Sequence, residues 1–300
     1  MTLCIAAECE YKGTPALALL ADLRSQTWDS SNPGSMVGSE DVYKMQEVGG
    51  ATMLLAGNRP LARALASVCK PSVLEFVQSS PEHENLDLAI DELRLKIEKA
   101  TAERKAEMIR QYVRSTHGMA YEEFIRLSTT EYADVWQQVR SLHFQAELLI
   151  CCVIHEPIII RVDHFGKTHW IDKYAAIGSG ADIARAMLCL QLWVPARLHR
   201  IGSHELARVP LEECIFRLME AHHVAHKANP SLVGGYTAAQ ILFPHHRCTT
   251  QPHFIGATDL LILKKYEVPQ IEPVRGKGEL LRIFQSFSTG SIQDEEPDVL

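Results

Sequence analysis

Apolar residues open the chain on both parities: Leu3, Ile5 and Ala7 alternate with Cys4 and Ala6, with Thr2 ahead of them. A strand apolar or small on both faces is a central, buried one. A turn at Tyr11–Lys12–Gly13 leads into ALALLAD, a second strand ending at Asp22, so the two form a hairpin. The stretch from Ser25 to Gly38 is rich in Ser, Asn, Pro and Gly and is expected to be a loop. After it, DVYKMQEV and ATMLLAG predict a second hairpin closed at Gly49–Gly50.

From Arg59 the period becomes helical, in LARALASVC and, past Pro71, in SVLEFVQ. Leu86 to Arg140 places Leu93, Ile97 and Ala100 at helical spacing and breaks near Thr116–Gly118, which predicts two long amphipathic helices. Spacing of that kind is read as packing rather than as a partner surface. Strand patterns return in FQAELLICCVI, PIIIRVDHFG and THWIDKYAAIG; the last runs through Gly178-Ser179-Gly180 into a helix, ADIARAMLCLQL. Leu211–Lys227 is another helix stopped at Asn229–Pro230, with strand candidates in YTAAQILF and DLLILKKYEV. The polar end, SIQDEEPDVL, is expected to be a loose tail.

Composition narrows the function classes. The chain has 300 residues, 46% hydrophobic and 22% charged, enough for a large core and compatible with one or two domains. A formal charge of −7 provides no basic field for phosphate backbones or anionic lipid, so neither nucleic acid nor a membrane is an expected partner. There is no bilayer-length apolar run and no signal-peptide pattern, and a cytoplasmic location is expected. The eight cysteines include no CxxC pair and are read as reduced core residues.

Chemistry-bearing residues are few. Thr2 follows Met1, and removal of the methionine would leave a hydroxyl and a free α-amine on one residue, a nucleophile carrying its own base. Asp22 at a strand end is ordinarily a turn cap. The GSG turn before a helix could take a phosphate, yet no Walker lysine or dinucleotide pattern accompanies it. His222 and His226 stand four apart on one helix, a spacing zinc sites use, with Pro244-His245-His246-Arg247-Cys248 as a source of further ligands; no HExxH glutamate is present.

In order, these are Thr2 at the start of a buried strand, Ala21-Asp22-Leu23-Arg24, SEDVYKM, LLAGN and AIGSGADIARAML. The chain resembles the proteasome β-subunits and the related bacterial heat-shock ring protease, N-terminal nucleophile hydrolases, over roughly residues 2–80 and 143–265. The resemblance implies an α+β fold, a four-layer αββα sandwich of the Ntn hydrolase type. It implies one domain over residues 2–265, with an enlarged helical insertion at about 84–142 and a partly disordered C-terminal extension over 266–300.

It also implies roles. Thr2 matches the nucleophile, Asp22 the carboxylate that orients a catalytic lysine, and Arg24 a frequent arginine of the same turn. Ser179 matches the serine near the threonine amine, and Gly57 the backbone N–H of the oxyanion hole. No cofactor is implied; a peptide or amide substrate, a homo-oligomeric ring and room for an unfoldase partner are.

Two places depart from the pattern. In Ser39-Glu40-Asp41-Val42-Tyr43-Lys44-Met45, Asp41 stands where the family has its lysine, and Lys44, three residues on, would face the other side of a continuous strand. A carboxylate there would raise the α-amine by about 1–3 pH units and hold it protonated. The family's Asp and Ser before a Gly-Gly pair fall near Pro230 and Val233, or in another alignment near Gln251 and Phe254, so neither is restored. The expectation is a threonine-type peptidase or amidohydrolase acting through an acyl-enzyme on Thr2, with amide hydrolysis of a small metabolite as a variant. Its alternative is a catalytically impaired scaffold or assembly protein.

Overall fold

The computed structural model describes residues 3–22, 25–28, 36–39, 44–79, 85–127, 132–193, 208–229, 233, 237–244 and 253–255. The alternating N-terminal apolar run becomes β1 (Leu3–Tyr11), turned back at Lys12 and Gly13 into β2 (Thr14–Asp22). Both turn residues have positive φ, 49° and 76°, the requirement of a tight hairpin. Together with β10 (Tyr174–Gly178), β11 (Thr237–Leu242) and β12 (His253–Ile255), they make a five-stranded antiparallel sheet in the order β10-β1-β2-β11-β12. A second sheet, β5-β6-β7-β8-β9, is also antiparallel and holds β5 (Met45–Val48), β6 (Ala51–Gly57), β7 (Ala146–Val153), β8 (Pro157–Val162) and β9 (Thr168–Ile171).

Strand alternation distributes the apolar side chains among three interfaces. Cys4, Ala6, Leu17, Leu19 and Ala21 of the first sheet meet Leu54, Leu149, Cys151 and Ile159 of the second. The other face of the first sheet, with Leu3, Ile5, Ala18 and Leu20, packs under α5 (Ala181–Leu188) and α6 (Leu211–Ala228). On the far side, Met53, Leu55, Leu148 and Ile150 of the second sheet meet α1 (Arg59–Gln78) and α2 (Leu86–His117). Helix, sheet, sheet and helix thus succeed one another, the layering that the family resemblance implied. Among the described residues, no helix is long and apolar enough to cross a membrane.

Several elements differ from expectation. The Ser25–Gly38 segment contains two paired strands, β3 (Ser25–Trp28) and β4 (Met36–Ser39), whose ladder is backbone pairing that its polar composition did not announce. Pro71 does not divide α1, which runs through it for 20 residues, capped by the Asn58 side chain on the Leu61 N–H. Of the two long helices expected after Leu86, one forms: α2 spans 32 residues and stops at Gly118 in the left-handed conformation. The remainder is a single turn, α3 (Tyr121–Phe124), and the short α4 (Ala133–Ser141), which close a small cluster of Val113, Phe124 and Val139. α5 ends at Leu188 and gives way to a π-helical turn over Cys189–Trp193. DLLILKKYEV and residues 266–300 lie outside the described residues.

The inter-sheet layer is the part of the core with neighbours on both sides. Leu149→Ala, at a fully buried position there, is expected to cost about 2–5 kcal/mol, read as a lower urea midpoint at unchanged slope.

Candidate active site at the start of the first strand

The end of β2 carries a carboxylate into the interior. Asp22 is completely buried, and its Oδ1 accepts the Leu3 N–H at 3.1 Å and the Lys44 ammonium at 2.5 Å. Burial pushes the Asp22 carboxyl above its ordinary range, and Lys44 and the Leu3 N–H pull it back in part. Lys44 is buried too, and its carbonyl accepts the Leu55 N–H at 2.9 Å, which ties it to β6. The ion pair therefore links the end of a strand in one sheet to the lead-in of the other.

This corrects the reading of Asp41 as the residue in the lysine's place. The cation at Asp22 is Lys44; Asp41 lies outside the described residues. The alternation argument assumed one continuous strand from Ser39 to Val48, but β4 ends at Ser39 and β5 begins only at Met45. The two strands belong to different sheets, and residues 40–43 between them lie outside the described residues. Thr2 and Arg24 also lie outside the described residues.

Ser179 and Gly57 stand nearby along the chain's own geometry. Leu3 is paired with Gly178, the last residue of β10, so Ser179 lies one residue past the strand, and it is exposed. Gly180 follows in a tight place, where a Cβ would come within 2.6 Å of Val233 and 3.3 Å of Ala225. Gly57 ends β6 two residues past Leu55, at φ +99°, and a Cβ there would fall 2.4 Å from the Gln145 carbonyl. That approach between β6 and β7 demands glycine whatever else its N–H does.

Other side chains join this end of the molecule, Cys4 and Thr237 without having been singled out as site residues. Cys4 donates its thiol to the Leu55 carbonyl at 3.4 Å, and burial pushes that thiol up to about 12, so it is no nucleophile. Thr237 is paired with Asp22 across β2 and β11; its buried hydroxyl has no partner among the described residues, and neither has Asp22 Oδ2. Burial, then His226, His223 and Lys44, hold His222 down at about 4. Of the positions matched to the family's missing Asp and Ser, Val233 lies against Gly180 and Phe254 pairs with Ala238 in β12; Pro230 and Gln251 are outside the described residues. His226 meets the Val233 carbonyl through Nδ1. No group of three or more His, Cys, Asp or Glu side chains among the described residues could hold a metal ion, and residues 245–248 are not among them.

No protein-family model and no curated protein matches the chain. Among solved structures it is similar to the Gly-1 mutant of Anbu from Hyphomicrobium sp. strain MC1, with a TM-score of 0.53 and 14% identity over 95% of this chain and 98% of the Anbu chain. The fold is Anbu-like. Two antiparallel sheets with helices packed on them are compatible with the α+β sandwich that the sequence resemblance implied. At that identity, the Anbu likeness carries no chemistry.

Two outcomes follow from the buried charges. Lys44→Met strands the Asp22 carboxylate and is expected to lower stability by about 3–5 kcal/mol, whereas Asp22→Asn combined with Lys44→Met costs less; denaturant titration of both variants checks this. His222, held near 4 rather than at its ordinary 6.5, takes up a proton more readily unfolded than folded. Its contribution is complete above about pH 6.5 and is lost as the pH falls toward 4, by about 3 kcal/mol in all. Stability measured across that window should fall less steeply in His222→Gln.

Proposed function

We propose that the chain is a proteasome-like N-terminal threonine hydrolase that cleaves peptide or amide bonds through an acyl-enzyme on Thr2. The observation that carries the reading is the buried Asp22–Lys44 pair, whose carboxylate also accepts the N–H of Leu3, the residue bonded directly to Thr2. A carboxylate that binds the first peptide N–H and a lysine together is placed to act on whatever the preceding residue presents.

The chemistry starts with exposure of the Thr2 α-amine. A neighbouring ammonium disfavours a second positive charge, so Lys44 lowers the amine's proton affinity, opposite to the effect expected of a carboxylate at that place. The free amine then takes the proton of the Thr2 hydroxyl as its oxygen attacks the carbonyl carbon. The N–H of Gly57 stabilises the oxyanion, a contribution of about 3 kcal/mol for one such donor. The amine returns its proton to the leaving nitrogen, and water positioned with the help of Ser179 hydrolyses the ester. Asp22 holds Lys44 throughout. The Anbu-like fold supports assembly into a homo-oligomer, with a ring as the form the resemblance implies and an unfoldase as a partner for folded substrates.

A second reading is a scaffold without turnover. Val233 favours it: the side chain against Gly180 is apolar where the family has hydrogen-bonding groups.

Intact mass spectrometry after treatment with an electrophile selective for N-terminal threonine separates the two. The expected result is loss of Met1 and a single adduct that vanishes in Thr2→Ala and forms about 100-fold more slowly in Lys44→Ala. An exposed Thr2 that stays unlabelled, or labelling indifferent to Lys44, supports the scaffold.

A further inference from the structure

The polar groups at this end of the first sheet do not stop at Asp22 and Lys44. α6 lies over the face of that sheet from which Leu20 points, and strand alternation puts Asp22 on the same face. Thr237, opposite Asp22, shares it. His222 stands on the buried side of α6 with Leu218, Ala221 and Ala225, and Ala225, one turn further on, approaches Gly180 beside Leu3. Three buried side-chain atoms of this layer, Asp22 Oδ2, Thr237 Oγ1 and His222 Nε2, have no hydrogen-bond partner among the described residues. A buried ring nitrogen left so among aliphatic neighbours is costly unless something polar meets it.

We infer that His222 is a positioning residue of the Thr2 site: a buried imidazole in the layer of Asp22 and Thr237 that acts through the Asp22–Lys44 pair by offering a polar atom there. Burial keeps the His222 ring neutral, and His226, His223 and then Lys44 add to it in that order. The same coupling works in reverse, since a proton on His222 would set a second cation against Lys44 and loosen its hold on Asp22. The other titratable groups acting on the ring are His226 and His223 of its own helix. On α5, which packs against α6, Asp182 and Arg185 bond each other at the surface, 2.5 Å apart. An amide in place of His222 keeps an uncharged polar atom and should preserve the role, whereas an aliphatic side chain keeps only the packing. The role in chemistry rests on the hydrolase reading; the coupling to Lys44 does not.

The test has one arm for each. In protein labelled with 13C at histidine Cε1, His222 is assigned by its loss in His222→Gln, and its titration is followed in wild type, in Lys44→Met and in the charge-neutral pair Asp22→Asn with Lys44→Met. An upward shift of about half a pH unit or more in both variants is expected. An unchanged titration overturns the inference. In the second arm, the pH profile of Thr2 labelling is compared between His222→Gln and His222→Leu. A drop of about tenfold or more with leucine and recovery to within about threefold of wild type with glutamine is expected. Equal labelling by both variants and wild type overturns the positioning role. If wild-type Thr2 does not label at any pH, the hydrolase reading and the positioning role fail together, and the titration alone decides whether His222 is coupled to Lys44.

Discussion

A carboxylate removed from water needs a cation, and at the end of β2 that requirement joins two sheets. Taking Asp22 inside costs several kcal/mol of hydration, which the ammonium of Lys44 and the N–H of Leu3 offset only in this geometry. Lys44 is in turn held by its backbone to Leu55, so the register of β5 on β6 and the closure of the first sheet on the second depend on the same pair. An apolar pair of similar volume would do the packing equally well. Retaining the charges at this place is what gives the start of β1 its chemical character.

Much of the architecture was readable because it rests on alternation. β1 and β2 are apolar on both parities, and only a strand between two packed layers uses both. The pairs around Gly49–Gly50 and the run from β7 to α5 followed from turn residues at the right intervals. The ribbon of β3 and β4 did not, because backbone pairing leaves no mark on a polar composition. The helical segment was misjudged for a related reason: helical spacing persists past Gly118, but it is divided among α2, a single turn and α4 by contacts such as that of Phe124 with Trp136.

Of the candidate site, the sequence placed Asp22 and Gly57 at the ends of β2 and β6, where they stand, and Ser179 just past β10; that Lys44 would be the cation at Asp22 was not foreseen. Lys44 leads into β5, whereas Ser39 ends β4 in a different sheet, so parity counted from Ser39 does not fix the side on which Lys44 lies. His222 and Thr237 gave a weaker signal still. A histidine on a helix near two others suggests metal or solvent, and only the fold shows that it is buried on the inner side of that helix.

The layer between the sheets sets short side chains among its large aliphatic ones: Cys4, Ala6, Ala21, Ala56, Cys151, Ala175 and Ala238 all lie in it. Small residues on facing sheets let the backbones come near and leave little volume to redistribute. Such a seam is asymmetric toward change. Trimming an alanine removes almost nothing, while each added methylene must displace a whole sheet, and with it the distance at which two strand ends present a charge to one another. At this seam, tolerance to drift is therefore limited at its smallest residues as well as at its large aliphatic ones.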